Sequence, residues 1–451
     1  MRHPEVYIFS TKLVYKVAML NSTSQSTAEI LSLQLANLGV KEVFGVSGAN
    51  IEDLFVAMTN QNRTNPNKIK IVLAKSESQA ALMAMGSYLV HKVPTATLVT
   101  SGPGILNCLP ILAESFSSQI PLILIAGFIP EHLEGKKGFQ DGSGKEGSID
   151  FLKVLQQFTQ ICVRLKSVEL AGPSLMHCFQ QAMTHKKPCA LVIPKNILGA
   201  KIESTADNFR LNTCINQVNS FCELGTIDEC SQQILKQKIL FQFQQWHSQI
   251  SSTPLVIVGE NHIHLANTYG LLNLIEALNA KVALVPGAKG FFDHSNKRYL
   301  GLTGVMGHAD VEQFLRLSSD VLVLGSQWDH LSRFHTEEYI TDKNCLFFND
   351  DLDVFYKTIL PSLPTNSDPA PPPPHIATIN PAKRSLGFRN ALSIIETAFA
   401  KTNDVFTDIF IDAGNVGAFA LHALQLRAYP GSLCYASLVM GGMGNTSGIS
   451  I

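Results

Sequence analysis

One carboxylate stands out by its position in the sequence. Glu77 lies in the segment 75–81, Lys-Ser-Glu-Ser-Gln-Ala-Ala, which follows an apolar run at 70–73 and opens an alanine- and leucine-rich stretch. The apolar run predicts a buried strand, so Glu77 would lie at the carboxyl end of a sheet, where open α/β sheets bind ligands. A glutamate in the first turn of a helix also interacts favourably with the helix dipole. Position alone therefore leaves a functional and a purely structural explanation open.

Glycine-rich turns form a second group of candidates. The turns at 45–49 and 100–104 each follow a predicted strand, and such turns expose backbone N–H groups to a ligand. Neither turn alone indicates a binding site, because strand–helix junctions often need glycine only for the backbone conformation of the turn. A third segment, 440–444, places a methionine between glycines, as a flexible core filler or as an apolar wedge. The residues expected at a binding site are Gly48, Ala49, Thr100, Ser101, Gly102, Gly442 and Met443.

The elements around these candidates alternate between helix and strand. Apolar strands that alternate with helices predict βαβ units and a mostly parallel sheet covered on both faces. In the first half of the chain we predict helices at 27–38, 77–89 and 104–117, and strands at 42–46, 70–73, 95–99, 122–126 and 189–193. A second series has strands at 255–258, 281–285 and 321–324. A third has a helix at 386–400, a strand at 405–411 and a helix at 415–426.

This pattern predicts an α/β protein with three doubly wound parallel-sheet domains, the last incomplete. The third unit has only about 70 residues, too few to cover both faces of a parallel sheet by itself. The predicted organisation is an extension at 1–21, a first domain at 22–200, a linker at 201–240, a central domain at 241–365, a proline-rich linker at 366–380 and a third domain at 381–451. The extension is expected to be loosely packed, and Met19 is an alternative start.

Composition excludes several classes of protein. Hydrophobic residues make up 45% and charged residues 16% of the chain, which suits buried cores and not a disordered chain. The formal net charge of −1 gives no basic field for nucleic acid or an anionic membrane. No run of 18 or more apolar residues predicts a membrane span. Nine cysteines without metal-ligand spacing predict reduced thiols and a cytoplasmic location.

The order of these motifs resembles the family of acetolactate synthase, pyruvate oxidase and related thiamine-diphosphate enzymes. The resemblance over 26–195 rests on the two glycine turns, Glu77, Gly86, an Ile-Pro-Leu strand start at 120–122, a Gly-Phe-Gln segment at 138–140 and a strand at 188–194. The segments 255–259 and 319–325 resemble the family's central domain. The segments 412–415 and 441–444 resemble the start of its diphosphate-binding domain.

The resemblance implies thiamine diphosphate as cofactor and decarboxylation or carboligation of a 2-oxo acid such as pyruvate. Glu77 would hydrogen-bond the pyrimidine ring and promote loss of the thiazolium proton, as a buried carboxyl with a raised pKa. Gln140 and the turn at 100–104 would line the substrate side. Gly414 and Asn415 would meet the diphosphate, and Met443 would hold the two cofactor rings folded. The family forms its sites between subunits, so a homodimer or tetramer is expected.

Three departures from the family pattern leave alternatives open. Ser76 stands where the family usually has His or Asn, and the Gly-Asp-Gly motif that supplies Mg²⁺ ligands is absent. The sequence ends where that motif should follow, which predicts a C-terminal truncation. An inactive paralogue that acts as a binding or regulatory subunit is therefore an alternative to the enzyme. A nicotinamide-dependent oxidoreductase is disfavoured, because no Gly-x-Gly-x-x-Gly follows a strand. FAD in the central domain is a weaker expectation.

Overall fold

The computed structural model describes most of the chain from residue 25 to residue 363. Within that range it omits 65–68, 94, 203–228, 265–268, 327, 329, 335 and 350–351; beyond it, only 409–411, 420, 421, 424 and 434–436 are described. The predicted extension at 1–21 and the proline-rich linker at 366–380 lie outside the described residues.

The first domain is built on a six-stranded parallel sheet in the order β3-β2-β4-β5-β7-β6. Its strands, with the short pair β1 and β8, are β1 (Gln25–Ser26), β2 (Glu42–Gly45), β3 (Lys70–Leu73), β4 (Ala96–Val99), β5 (Ile123–Phe128), β6 (Cys162–Arg164), β7 (Cys189–Pro194) and β8 (Lys201–Ile202). The helices are α1 (Thr27–Asn37), α2 (Glu52–Thr64), α3 (Glu77–His91), α4 (Pro103–Leu106), α5 (Leu109–Ser117), α6 (Phe151–Phe158), α7 (Ala171–His185) and α8 (Lys195–Leu198).

Helices cover both faces of this sheet. One apolar core packs α1, α2 and α7 against one face, and a second packs α3, α5 and α6 against the other. The central strands β4, β5 and β7 are buried along their whole length, as expected for a parallel sheet covered on both sides. The predicted doubly wound α/β fold is confirmed for this domain.

The start and end of the first domain are held together by backbone pairing. β1 and β8 form an antiparallel two-stranded sheet, in which Gln25 lies opposite Ile202 and Ser26 opposite Lys201. A capping box begins α1, because Ser26 Oγ accepts from Glu29 N at 3.2 Å and Glu29 Oε2 accepts from Ser26 N at 2.7 Å. The chain therefore leaves this domain beside the point at which it entered.

The second domain is built on a five-stranded parallel sheet in the order β11-β10-β9-β12-β13. Its strands are β9 (Leu255–Val258), β10 (Lys281–Leu284), β11 (Tyr299–Leu302), β12 (Asp320–Leu324) and β13 (Asn344–Phe348). Its helices are α9 (Glu229–Ser248), α10 (Tyr269–Ala277), α11 (Ala309–Leu317), α12 (His330–Arg333) and α13 (Leu352–Ile359). Because its strands are parallel and helices lie between them in the chain, this domain has the predicted fold class as well.

Helix α9 begins inside the segment 201–240 that the sequence suggested as a linker. Its residues Ile239, Phe243 and Trp246 are buried in the core of the second domain. Trp246 Nε1 also donates to the carbonyl of Asn344 on β13 at 3.0 Å. The helix is thus part of the second domain's packing.

Of the third unit, the structure describes one parallel strand pair, β14 (Ile409–Ile411) and β15 (Cys434–Ala436). Leu421 and Leu424 join the core of the second domain. None of the described helices is long and apolar enough to cross a membrane.

Candidate functional site

The carboxyl edge of the first sheet contains a topological switch point between β2 and β4. From β2 the chain moves outward to β3 and then returns past β2 to form β4. The connections that leave the carboxyl ends of β2 and β4 therefore diverge to opposite faces, and the crevice between them is where such sheets bind ligands. The predicted turns at 45–49 and 100–104 follow these two strands, so both lie at this crevice.

The two turns touch each other through a glycine. A Cβ atom built on Gly48 would lie 2.7 Å from Thr100 Cβ, a distance that real Cβ atoms essentially never show. Gly48 is therefore required for the close approach of these backbones. Asn50 links the turns a second time, because its Nδ2 donates to Ser101 Oγ at 2.6 Å. Ala49 lies exposed beside them.

Glu77 begins α3 at the same edge and is half-buried. Its Oε2 accepts a hydrogen bond from Asn107 Nδ2 at 2.9 Å. Its Oε1 lies toward the turn after β4, since a Cβ atom built on Gly104 would be 3.6 Å from it and 3.3 Å from Thr100 Cγ2. The preceding Ser76 caps the helix, and its Oγ accepts from Gln79 N at 3.3 Å. The structure therefore brings Glu77 to the predicted turn.

The single helix predicted at 104–117 is wrong, and its interruption shapes the site. The chain forms α4 and α5 with Asn107 and Cys108 between them. Pro110 has no N–H to bond the carbonyl of Leu106 and so cannot continue α4. The break is fixed by Ser78 Oγ, which donates to the carbonyl of Asn107 at 2.6 Å.

Cys108 contacts the main chain of Glu77. Its Sγ donates to the carbonyl of Glu77 at 3.6 Å. Burial, with a contribution from the charge of Glu77, raises the pKa of the Cys108 thiol well above its ordinary value. The thiol is therefore neutral at physiological pH and unsuited to act as a nucleophile.

Gln140 lies against the turn that follows β4. A Cβ atom built on Gly102 would be 3.0 Å from both Cβ and Cγ of Gln140, and Ser101 Oγ donates to Gln140 Oε1 at 3.1 Å. Gly102 and Gln140 both have left-handed backbones, with φ values of 68° and 62°. Glycine adopts this conformation freely, whereas glutamine does so at a cost of about 1–2 kcal/mol. The surrounding loop must therefore hold Gln140 in place.

Asp141 holds that loop. Its carboxylate accepts from Gly135 N at 2.8 Å and from Ser143 N at 2.9 Å. Desolvation raises the pKa of Asp141, but the hydrogen bonds from Ser143 and Gly135 outweigh it, and the net shift is downward. A charged Asp141 thus fixes the backbone on either side of the strained Gln140.

Asn50 and Asn107 are the two site residues that sequence analysis missed. Asn50 is buried and belongs to the chain of hydrogen bonds from Asn50 through Ser101 to Gln140. Asn107 follows the predicted turn by only three residues, and its neighbour Pro110 gave a signal that the helix breaks there. The remaining predicted residues, Gly414, Asn415, Gly442 and Met443, lie outside the described residues.

The switch point of the central sheet, between β9 and β12, is filled by protein atoms. A Cβ atom built on Gly259 would lie 2.3 Å from the carbonyl oxygen of Gly325, so these two backbones touch. The ring of His262 hydrogen-bonds Tyr356 Oη at 2.8 Å and the carbonyl of Gly259 at 3.1 Å. Burial lowers the pKa of His262 to about 4. FAD binding in the central domain stays a prediction.

The described residues form no cluster of metal ligands and no disulfide bond. Among the described residues, no group of three or more His, Cys, Asp or Glu side chains is placed to hold a metal ion. The five cysteines whose side chains are described, at 108, 162, 178, 189 and 345, are free thiols. Mg²⁺ binding stays a prediction.

Comparison with known protein families matches both described domains. Residues 25–146 match the family model described as thiamine pyrophosphate enzyme, N-terminal TPP binding domain. Residues 249–371 match the thiamine pyrophosphate enzyme, central domain.

Curated relatives agree with these matches. The chain is 24% identical over 316 residues to the mitochondrial acetolactate synthase catalytic subunit of Saccharomyces cerevisiae, covering 68% of this chain and 43% of the relative. It is 23% identical over 346 residues to the acetolactate synthase isozyme 3 large subunit of Escherichia coli, covering 76% and 56%. A pyruvate decarboxylase of Neurospora crassa is 20% identical over 452 residues, covering 93% and 72%. The chain spans about half the length of the acetolactate synthases it matches.

Proposed function

Because the chain belongs to the thiamine pyrophosphate enzyme family, we propose that it uses thiamine diphosphate to decarboxylate a 2-oxo acid such as pyruvate and to join the product to a second carbonyl compound. The relatives named as acetolactate synthase and pyruvate decarboxylase support this reaction class. They favour the enzyme over the alternative of an inactive binding subunit. The observation that carries the proposal is the Glu77 carboxylate, held by Asn107 beside the β2–β4 switch point.

The residues at the crevice fit the aminopyrimidine half of the cofactor. Glycines at 48, 102 and 104 let the side chains of Thr100 and Gln140 pack directly against the two turns, so the walls of the crevice are held close together beside Glu77. Within the described part of the chain, Glu77 Oε1 has no hydrogen-bond partner, while Oε2 accepts from Asn107. Oε1 is therefore the atom through which Glu77 would bind the pyrimidine ring.

Thiamine diphosphate, when bound, supplies an electron sink for the carbanion left by decarboxylation. Glu77 would hold a proton at Oε1 against the pyrimidine ring, which would favour the proton loss that activates the cofactor. Glu77 is half-buried in this chain, so further desolvation would come from the cofactor and from a neighbouring subunit. The neighbouring subunit of a homodimer or tetramer would bury Glu77 further.

The other predicted residues complete the proposed site. Thr100, Ser101 and Gln140 would position the 2-oxo acid, since their hydroxyl and amide groups belong to the turn after β4 and to the loop that packs against it. Gly414 and Asn415 would hold the diphosphate, and Gly442 and Met443 would support the folded cofactor. These last assignments come from the sequence resemblance, and the cytoplasmic location comes from the nine cysteines, which lack metal-ligand spacing.

Two measurements on the full chain test the proposal. Isothermal titration calorimetry with thiamine diphosphate and Mg²⁺ should show saturable uptake, and pyruvate should be consumed only when both are present. A Glu77→Gln variant should unfold at the same temperature as the parent but not consume pyruvate. No uptake by the parent chain at millimolar cofactor, or pyruvate turnover that survives in Glu77→Gln, would contradict the proposal.

A further inference from the structure

We infer that Asn107 is a positioning residue that sets the orientation of the Glu77 carboxylate, an inference that rests on the proposed function of Glu77. Asn107 Nδ2 donates to Glu77 Oε2 at 2.9 Å. A carboxylate on a long side chain has several accessible rotamers, and a hydrogen bond to one of its oxygens removes part of that freedom. The bond leaves Oε1 directed toward Gly104 and Thr100, where the pyrimidine ring is expected.

Asn107 is itself held in place through its backbone. Ser78, the next residue after Glu77, donates from Oγ to the carbonyl of Asn107 at 2.6 Å. Cys108 Sγ donates to the carbonyl of Glu77 at 3.6 Å. The start of α3 and the α4–α5 break are therefore joined by three hydrogen bonds, of which only one involves the side chain of Asn107.

This arrangement separates the role of the amide from that of the backbone. Replacement of Asn107 by alanine removes the donor to Glu77 but keeps the carbonyl that Ser78 binds. Asn107 is exposed, so the replacement leaves no buried cavity. Any change at Glu77 can thus be assigned to the lost donor.

The α4–α5 break is what gives Asn107 this position. In a continuous helix the carbonyl of residue 107 would accept from the N–H of residue 111, whereas here Ile111 N donates to the carbonyl of Cys108 and the Asn107 carbonyl accepts from Ser78. Pro110 prevents that continuation. A short apolar helix interrupted by proline therefore works here as the support for a carboxylate on the neighbouring helix.

The first test needs no cofactor. Carbodiimide labelling of carboxyl groups in the full chain, read by peptide mass spectrometry, should be faster at Glu77 in Asn107→Ala than in the parent, by about threefold or more. Asn107→Asp is the same size but has no donor, and should label Glu77 at least as fast as Asn107→Ala. Equal rates at Glu77 in the parent and both variants would overturn the inference.

A matched control comes from a second Asn–Glu pair in the same domain. Asn196 Nδ2 donates to Glu131 Oε2 at 3.1 Å, while Arg164 Nη2 bonds the other carboxylate oxygen at 3.4 Å and Asn196 Oδ1 accepts from Glu131 N at 2.9 Å. Asn196→Ala should speed labelling at Glu131 and leave Glu77 unchanged. A rise at Glu77 in this variant would show general loosening of the domain and would count against a specific role for Asn107.

Cofactor binding then separates positioning from folding. Asn107→Ala should weaken thiamine diphosphate binding by about five- to tenfold in calorimetry, and should have almost no effect in a Glu77→Ala background. Equal weakening in both backgrounds would indicate a structural role and overturn the inference. If the parent takes up no thiamine diphosphate, the proposed function fails, and this inference fails with it. If the parent binds and Asn107→Ala binds equally well, this inference alone fails.

Discussion

Replacement of Gly48 by alanine tests whether the crevice between β2 and β4 is as tightly built as the structure indicates. The new Cβ atom would lie 2.7 Å from Thr100 Cβ and 2.8 Å from Thr100 Cγ2, whereas ordinary contacts begin at 3.4 Å. The two turns must therefore separate by about 0.7 Å. Neither atom is the far end of a flexible side chain, so the backbones have to move.

We expect this movement to lower the free energy of unfolding by about 1–3 kcal/mol, the usual cost of adding an atom to a tightly packed position. Asn50 N donates to Thr100 Oγ1 at 3.4 Å, and this bond would be lost when the turns separate. Because the turns also form the proposed pyrimidine site, thiamine diphosphate binding should weaken by about tenfold or more. Urea unfolding followed by circular dichroism gives the first quantity, and calorimetry gives the second.

Two variants serve as controls. Gly172, near the start of α7, has nothing within 4 Å of a built Cβ atom, so Gly172→Ala should cause no loss and could stabilise the helix by up to about 1 kcal/mol. Thr100→Gly combined with Gly48→Ala should cost less than the sum of the two single changes, by about 1 kcal/mol. If Gly48→Ala matches the parent in stability and in cofactor binding, the close contact between the turns is refuted, and with it the geometry proposed for the site.

Two further predictions concern strain and pH. Gln140→Gly should change the unfolding free energy by less than about 1 kcal/mol, because relief of the strained left-handed backbone offsets the lost hydrogen bond to Ser101. The same variant should raise the KM for the 2-oxo acid. An unchanged KM would show that Gln140 does not contact the substrate. Burial lowers the pKa of His262 from 6.5 to about 4 in the folded chain. Between pH 4 and pH 6.5 the imidazole is therefore protonated in the unfolded chain but neutral in the folded chain. Its contribution to stability is therefore complete above pH 6.5 and is lost as the pH falls toward 4, by about 3 kcal/mol in total. Urea unfolding from pH 7 to pH 4 should show a shallower loss for His262→Gln than for the parent; parallel curves would contradict a buried neutral imidazole.

Apolar runs in the sequence were enough to predict most of the strands near the site. The run at 70–73 coincides with β3, but the prediction of a buried strand there is wrong, because β3 lies at the edge of the sheet and is only partly buried. The run at 255–258 coincides with β9, which is buried throughout. A strand buried on both faces must be apolar throughout, so its position is marked by composition alone. The placement of Glu77 and of the two glycine turns at the sheet edge follows from where these strands end.

Features that depend on contacts between distant segments could not be predicted in the same way. The bond between Asn107 and Glu77 joins residues 30 positions apart, and the left-handed backbone of Gln140 is set by the loop around Asp141. Helix α9 is a different case. Its polar residues suggested a linker, although Ile239, Phe243 and Trp246 recur at helical spacing and form its buried face.

Deuterium exchange measures whether Glu77 promotes loss of the C2 proton of thiamine diphosphate. The C2 proton of the thiazolium ring exchanges with D₂O at a rate that NMR can follow after acid quench, for the free cofactor and for the cofactor mixed with the parent chain and Mg²⁺. We predict faster exchange with the parent than in free solution, and a decrease of about 10²-fold or more with Glu77→Gln at saturating cofactor. Equal exchange rates for the parent and Glu77→Gln would show that Glu77 does not promote this proton loss.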